Sequence, residues 1–283
     1  MALVSRTGFR SGERGPIGFG ALIRSFWDNR TLIGNLASRD IYSRFRGSIF
    51  GGAWTVLIPL IMMSSYAFVF STVLGLRWQG QAGRELNYPL VIFSGLIIFT
   101  FFAEVIGRAP GIILEYATFV KKVPFPLETT VWIQIVVALF NLGLSFLIFL
   151  LFYFVFVGVP PITSLLAPLA LLPLVLIVLG LGWLFAAAGV YLRDLRVVVP
   201  FITNLLMLLG PVFYSITLIP EKYRPLIYLN PVTAPIQNFR DLFFDGIVPS
   251  LSMWGLNLVI GVVIAWLGYA FFIRTRHGFA DVL

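Results

Sequence analysis

The sequence predicts an all-α polytopic membrane protein, and three observations carry that prediction. Six apolar runs are each long enough to cross a bilayer core of about 30 Å, which takes roughly 20 residues of helix. Hydrophobic residues make up 59% of the 283 and charged residues only 11%, where a soluble domain carries about 25% charged. Basic residues gather in alternate connections between the runs, the asymmetry that orients membrane helices. The predicted organisation is a flexible N-terminal tail (1–20), a cytoplasmic interfacial helix (21–47), a membrane domain (48–276) and a short cytoplasmic C-terminal tail (277–283). The membrane domain holds six transmembrane helices, with external re-entrant helices between spans five and six.

The tail lacks the apolar stretch of a signal peptide, because Arg6, Arg10, Glu13 and Arg14 interrupt it. Its Arg-rich, acid-poor composition also fits an organelle transit peptide, the lesser reading. Residues 21–47 set Leu22, Phe26, Leu32, Ile33 and Leu36 among Arg and Asp in an imperfect 3.6-residue pattern. That suits a helix lying in the membrane surface, with Arg in the headgroups. A surface helix against a soluble partner is the plainer alternative, and both can hold.

The spans fall near 54–74, 90–113, 131–157, 165–191, 197–214 and 254–273. Fourteen Lys and Arg lie before span one, between spans two and three, between four and five, and after six, against five on the opposite side. Both termini are therefore expected to be cytoplasmic. The net charge of +8 and pI near 10.0 report topology and anionic lipid rather than nucleic acid, since the basic residues are dispersed over several loops. Two connections are long. The cytoplasmic one, 115–127, begins as a short helix that Pro124 and Pro126 stop. The external one, 215–253, carries Pro220, Pro225, Pro231, Pro235 and Pro249 among apolar residues. It is too apolar for a free loop and too broken for a span, hence the re-entrant helices. Backbone of that kind is tolerated at membrane depth only inside protein or beside a water-filled cavity. No internal repeat is visible, which disfavours an inverted-repeat secondary transporter.

Several chemistries are missing from the sequence. The only lysines are Lys121, Lys122 and Lys222, and none sits in a G-x-x-x-x-G-K-[ST] phosphate loop. The chain is therefore not expected to hydrolyse nucleotide by itself. With no cysteine and one histidine, His277, a His/Cys metal cluster is excluded, and no metal is expected. Glu104 and Arg108 stand four residues apart within span two, where they can pair on one helix face. A mutually satisfied ion pair is one reading; a proton relay at an intramembrane charge is the other. Aromatic residues reach 16%, including 28 Phe. Most are expected in packing or at the lipid face, with Trp78, Tyr88, Trp254 and Tyr269 in interfacial belts. Some can line a conduit, since an apolar ring face beside polar groups suits a sugar.

Four segments in order carry a resemblance. They are 38–48 (Ser-Arg-Asp-Ile-Tyr-Ser-Arg-Phe-Arg-Gly-Ser) with Gly52, Trp54 and Pro59; 101–104 (Phe-Phe-Ala-Glu) leading to 119–126 (Phe-Val-Lys-Lys-Val-Pro-Phe-Pro); 191–196 (Tyr-Leu-Arg-Asp-Leu-Arg) with 210–214 (Gly-Pro-Val-Phe-Tyr); and 229–233 (Leu-Asn-Pro-Val-Thr) with Phe239, Arg240 and Asp241. From about residue 30 to 275 the chain resembles the type-2 permease family of ABC exporters, in its polysaccharide branch (O-antigen, capsule, teichoic acid). The resemblance implies a half-transporter of a bacterial inner membrane. A second copy would complete the channel, two separate ABC ATPase subunits would supply ATP and Mg, and this chain would bind no cofactor. A lipid-linked polysaccharide is the implied substrate. Tyr116, Phe119, Val120, Lys121, Lys122 and Val123 look like the helix that seats in the ATPase. Arg39, Arg44 and Arg46 would lie near a lipid diphosphate. Pro211, Phe213, Tyr214, Asn230 and Pro231 would belong to an external gate. Three alternatives stay open: an exporter of a drug or small lipid in the same family, a proton-coupled transporter using Glu104, and a membrane transferase using Asp194, Asp241 or Asp245.

Overall fold

A computed structural model describes residues 18–43, 53–75, 77–80, 83, 85–116 and 125–282. Two short helices replace the single predicted interfacial helix: α1 (Phe19–Asp28) and α2 (Arg30–Ser43). Asn29 breaks them. Its side-chain amide donates to the Ser25 carbonyl at 3.0 Å, offering the backbone an alternative to the helical ladder. α1 turns Leu22 and Ser25 inward and leaves Phe19, Ile23 and Trp27 exposed. These three are spaced i, i+4, i+8 and form one outward apolar stripe. The tail up to residue 17 and residues 44–47 of the predicted helix lie outside the described residues.

Five apolar segments are long enough to cross a membrane: Val56–Val73, Tyr88–Glu115, Thr129–Phe156, Ile162–Tyr191 and Leu251–Gly278. They correspond to α3 (Trp54–Tyr66, extended by a π-helical stretch Ala67–Val73), α4 (Tyr88–Arg108) with α5 (Ile112–Glu115), α6 (Thr129–Phe156), α7 (Ala167–Tyr191) and α11 (Leu251–Thr275). Between α7 and α11 lie α8 (Leu195–Leu209), α9 (Arg224–Tyr228) and α10 (Thr233–Arg240), the last prolonged by a π-helical turn, Asp241–Asp245. The predicted fifth span, 197–214, is shorter than expected: α8 stops at Leu209, because Gly210 turns extended before Pro211, as the residue preceding a proline prefers. An antiparallel hairpin, β1 (Trp78–Gln79) and β2 (Glu85–Leu86), pairs Trp78 with Leu86 and Gln79 with Glu85. This small β element is absent from the all-α prediction. The predicted C-terminal tail also folds back, as a turn at Arg276–Gly278 and α12 (Phe279–Val282). Phe279 is buried against Phe272 and Tyr191, at ring separations of 5.6 and 5.9 Å.

α4 is the central helix. Asn87 caps it by accepting from the Leu90 N–H at 3.3 Å, and Pro89 fits its first turn, where a missing N–H costs nothing. Of its apolar segment 72% is buried, against 6% for α3, so α4 is wrapped by protein while α3 faces away from its own subunit. α7 and α11 run parallel. Contacts climb together along both: Leu169 with Trp254, Pro173 with Gly261, Gly180 with Ile264 and Gly268, Tyr191 with Thr275. At Gly180 and Gly268 the two backbones touch with no side chain between them, the close approach that small residues permit between membrane helices.

Candidate functional site

Polar side chains gather at the two ends of the bundle. At the end carrying α1 and α2, Asp40 on α2 stands among Arg39, Arg108 and Tyr116. Its carboxylate is 3.6 Å from Arg39, 3.7 Å from Arg108 and 3.4 Å from the Tyr116 hydroxyl, which donates to it. Arg108, the last residue of α4, directs its fork mainly to Glu115: Nη2 donates to Oε2 at 2.6 Å and Nε at 3.2 Å. Pro110 causes this geometry. The helix tightens into a 3-10 turn at Ala109–Gly111, because proline removes a backbone donor, and Glu115 is brought back beneath Arg108. Burial, then the charge of Asp40, pushes the Tyr116 phenol up to about 12, so it stays protonated and remains a donor. Its ring stacks on Phe125 at 5.7 Å and 11°.

The predicted Glu104–Arg108 ion pair is therefore corrected. Arg108 goes to Glu115 and Asp40, while Asn141 on α6 donates to both Glu104 oxygens, at 2.9 and 3.0 Å. The local i,i+4 rule loses because each side chain finds a partner from another element with better geometry. A second ion pair at the same end was not foreseen. Glu128, just before α6, pairs with Arg276 at 3.3 Å with both side chains largely buried. The Trp183 indole donates to the Glu128 carbonyl at 3.1 Å, and the Trp132 indole donates to Ser25 of α1 at 3.0 Å. α1, α6, α7 and the end of α11 are thereby tied at one level.

At the opposite end the organising residue is Arg240, which the sequence marks only as part of the Phe239–Asp241 segment that carries the resemblance. It is 4% exposed. Its guanidinium donates to three main-chain carbonyls: Val91 (3.0 Å), Pro211 (2.5 Å) and Val212 (2.8 Å). It also lies 4.6 Å from the centre of the Trp78 ring, within cation–π range. Burial lowers its pKa to about 9, which leaves it charged at neutral pH. Gly95 makes room, since a Cβ there would press on the guanidinium at 2.6 Å. Around this centre Tyr66, Phe70, Trp78, Tyr88 and Phe213 join ring to ring, with Phe70 stacked on Phe213 at 5.7 Å and 18°. One centre thus binds α3, the hairpin, α4, the turn after α8 and α10.

Of the predicted gate residues, Pro211 and Phe213 meet at this centre; the Tyr88 hydroxyl donates to the Phe213 carbonyl at 2.9 Å. Asn230 ties the loop to α8, donating to the Leu206 carbonyl at 2.8 Å. Pro231 follows it at the entrance to α10, and the Tyr214 hydroxyl donates to the Leu209 carbonyl at 2.8 Å. Of the predicted ATPase-facing residues only Tyr116 is described, and it is buried, at 4% exposure. Phe119, Val120, Lys121, Lys122 and Val123 lie outside the described residues, as do Arg44 and Arg46. Arg39 is half-exposed beside Asp40.

The comparisons with known proteins agree in one direction. The ABC-2 type transporter family matches residues 31–244. The chain is 27% identical to the O-antigen export system permease protein RfbA of Myxococcus xanthus, over 92% of this chain and 98% of that protein. It is 26% identical to the RfbA protein of Klebsiella pneumoniae, over 88% of this chain and 93% of the relative. It is 20% identical to the polysialic acid transport protein KpsM of Escherichia coli, over 84% and 91%. The match to the family spans both polar clusters except Ser25 and Arg276, and on that match this multi-pass membrane chain belongs to the ABC-2 type transporter family.

Proposed function

We propose that this chain is the permease subunit of an ATP-driven exporter that moves a lipid-linked polysaccharide across a bacterial inner membrane. Two copies form the channel and two ABC ATPases drive it. The observation that carries this reading is the near full-length similarity to relatives named for O-antigen export and polysialic acid transport. Similarity to the inner membrane transport permease YadH of Escherichia coli is 28% but covers 75% of this chain, so the glycan relatives account for more of it. The lack of a phosphate loop fits an ATPase on a separate chain. Arg39, Arg44 and Arg46 hold the lipid diphosphate, and of the predicted segment 116–123 the residues after the buried Tyr116 seat in the ATPase.

A sixth crossing is part of this proposal. Since α7 and α11 run parallel, the chain between them must return across the bundle, and α8 is the apolar helix available. Its 15 residues span about 22 Å at 1.5 Å per residue, and the turn at 210–214 adds the rest. α9 and α10 are too short to cross and form the re-entrant pair. Both termini are cytoplasmic. Single cysteines at residues 122 and 222, in a chain with no other cysteine, test this. From outside, a membrane-impermeant reagent labels position 222 and spares position 122; the reverse pattern overturns the orientation.

Proteoliposomes holding this chain with its ATPase test the function itself. ATP-dependent movement of a lipid-linked glycan is expected, and Phe119→Ala should abolish it while the chain stays folded and dimeric. A filled aromatic pocket is the kind of contact that dominates an interface. ATP-independent transport, or proton-driven uptake that Glu104→Gln abolishes, would replace this reading.

A further inference from the structure

We infer that Asp40 is a positioning residue that links the α2 surface to the ATPase-facing segment, through Arg108, Glu115 and the Tyr116–Phe125 ring stack. The inference rests on the function proposed above and names how its two cytoplasmic sites communicate. Asp40 is an odd carboxylate. Its side chain is only 14% exposed, yet its three contacts measure 3.4, 3.6 and 3.7 Å. A desolvated carboxylate is stabilised by short charged hydrogen bonds, and here it is shared loosely among three donors on three elements. Arg108, by contrast, is closed on Glu115 at 2.6 Å.

The looseness has a direction. Arg39 has a 52% exposed side chain, against 33% for Arg108, whose fork is already closed on Glu115, so it is the donor most open to a phosphate at the membrane surface. A phosphate oxygen on Arg39 competes with Asp40 for the same guanidinium. Asp40 then loses part of its compensation and must draw closer to Arg108 and Tyr116 to recover it. Both sit at the start of the connection that leads toward α6. Tyr116 and Phe125 flank residues 117–124 and are stacked on each other, so a shift of the Tyr116 ring moves both flanks of that connection together. The phenol remains protonated across the neutral range and keeps its hydroxyl available to Asp40. Coupling of this kind is reciprocal: what the ATPase does to the connection must also be felt on α2.

Reciprocity supplies the experiment. Tyr42 is 78% exposed on α2, two residues past Asp40, and the chain has no cysteine. Tyr42→Cys, in the complex with the ATPase, is alkylated without nucleotide and after trapping with ATP and vanadate. Alkylation reads the population in which position 42 is accessible, and the two rates should differ by about fivefold or more, the lower end of a typical coupling. The difference should vanish in Asp40→Asn, with complex assembly and basal ATP hydrolysis retained, and return in Asp40→Glu. A merely structural role would change stability without removing the nucleotide dependence. Equal rates in the parent, or a nucleotide difference that survives Asp40→Asn, overturns the relay. The two failures are distinguishable. If no ATPase associates with the parent chain, the proposed function falls and the relay with it. If the parent complex assembles and exports while the difference survives Asp40→Asn, the relay alone falls.

Discussion

Arg240→Met should lower the stability of the purified chain by about 3 kcal/mol, with Pro211 and Val212 losing the donor that holds them. Two effects oppose each other. Removing a buried cation relieves its desolvation, and an apolar replacement of a buried ion pair is often neutral for that reason. Here the partners are main-chain carbonyls that stay in place, so the relief is offset by acceptors left unpaired in a dry site. Thermal unfolding in detergent should show a midpoint lower by roughly 8 °C on the scale for domains of this size. Arg240→Lys keeps the charge but not the fork, and one ammonium cannot match the spread of three carbonyls on α4 and the turn at 211–212; it should lose roughly half as much. Gly95→Ala reaches the same site from α4, since its Cβ would displace the guanidinium, and should reproduce the defect with Arg240 intact. An unchanged midpoint in both Arg240→Met and Gly95→Ala would show that the carbonyls find water instead.

Gly268→Ala should be more damaging, and for a different reason. A Cβ on Gly268 would fall on the Gly180 carbonyl, and one on Gly180 would fall on the Ile264 carbonyl. Backbone atoms cannot rotate aside as a side chain can, so the helices must separate along their length. Overpacking typically costs about 1–3 kcal/mol and more where nothing yields; a loss above about 3 kcal/mol is expected here. Gly255→Ala, on the same helix with open space around it, provides the control and should be close to neutral. The yield of folded protein after detergent extraction separates the two; because alanine gains helix propensity over glycine, a loss confined to Gly268→Ala belongs to the crossing, and similar losses in both would overturn that assignment.

Bilayer thickness explains what the sequence made legible. Apolar runs at 54–74, 90–113, 131–157, 165–191 and 254–273 became long helices, because span length is dictated by the solvent and not by the tertiary fold. Local rules did less well wherever distant groups competed. Glu104 and Arg108 satisfied the i,i+4 criterion and still separated, since Asn141 and Glu115 offered better geometry. Residues 21–47 read as one helix because the Asn29 break is a side-chain bond to the backbone, which hydrophobic periodicity does not register. Arg240 was the largest omission. Its partners are carbonyls, which every residue carries, so no pattern of side chains could announce them. Its signals were its place in the Phe239–Asp241 segment of the resemblance and an Arg-Asp pair set among Phe239, Leu242, Phe243 and Phe244, neither of which tells what the guanidinium binds. Glu128 and Arg276 lie 148 positions apart, beyond any local rule.

The seam between α7 and α11 has a mechanical consequence. Two helices joined through side chains can slide, because rotamers absorb small displacements; two joined at the main chain must move as one strut. Any widening of a transport path has to take place where α7 and α11 meet their neighbours, not where they meet each other. α3 and α8 present much of their surface outside the subunit and stand largely apart from that strut, joined to α4 and the Arg240 centre instead.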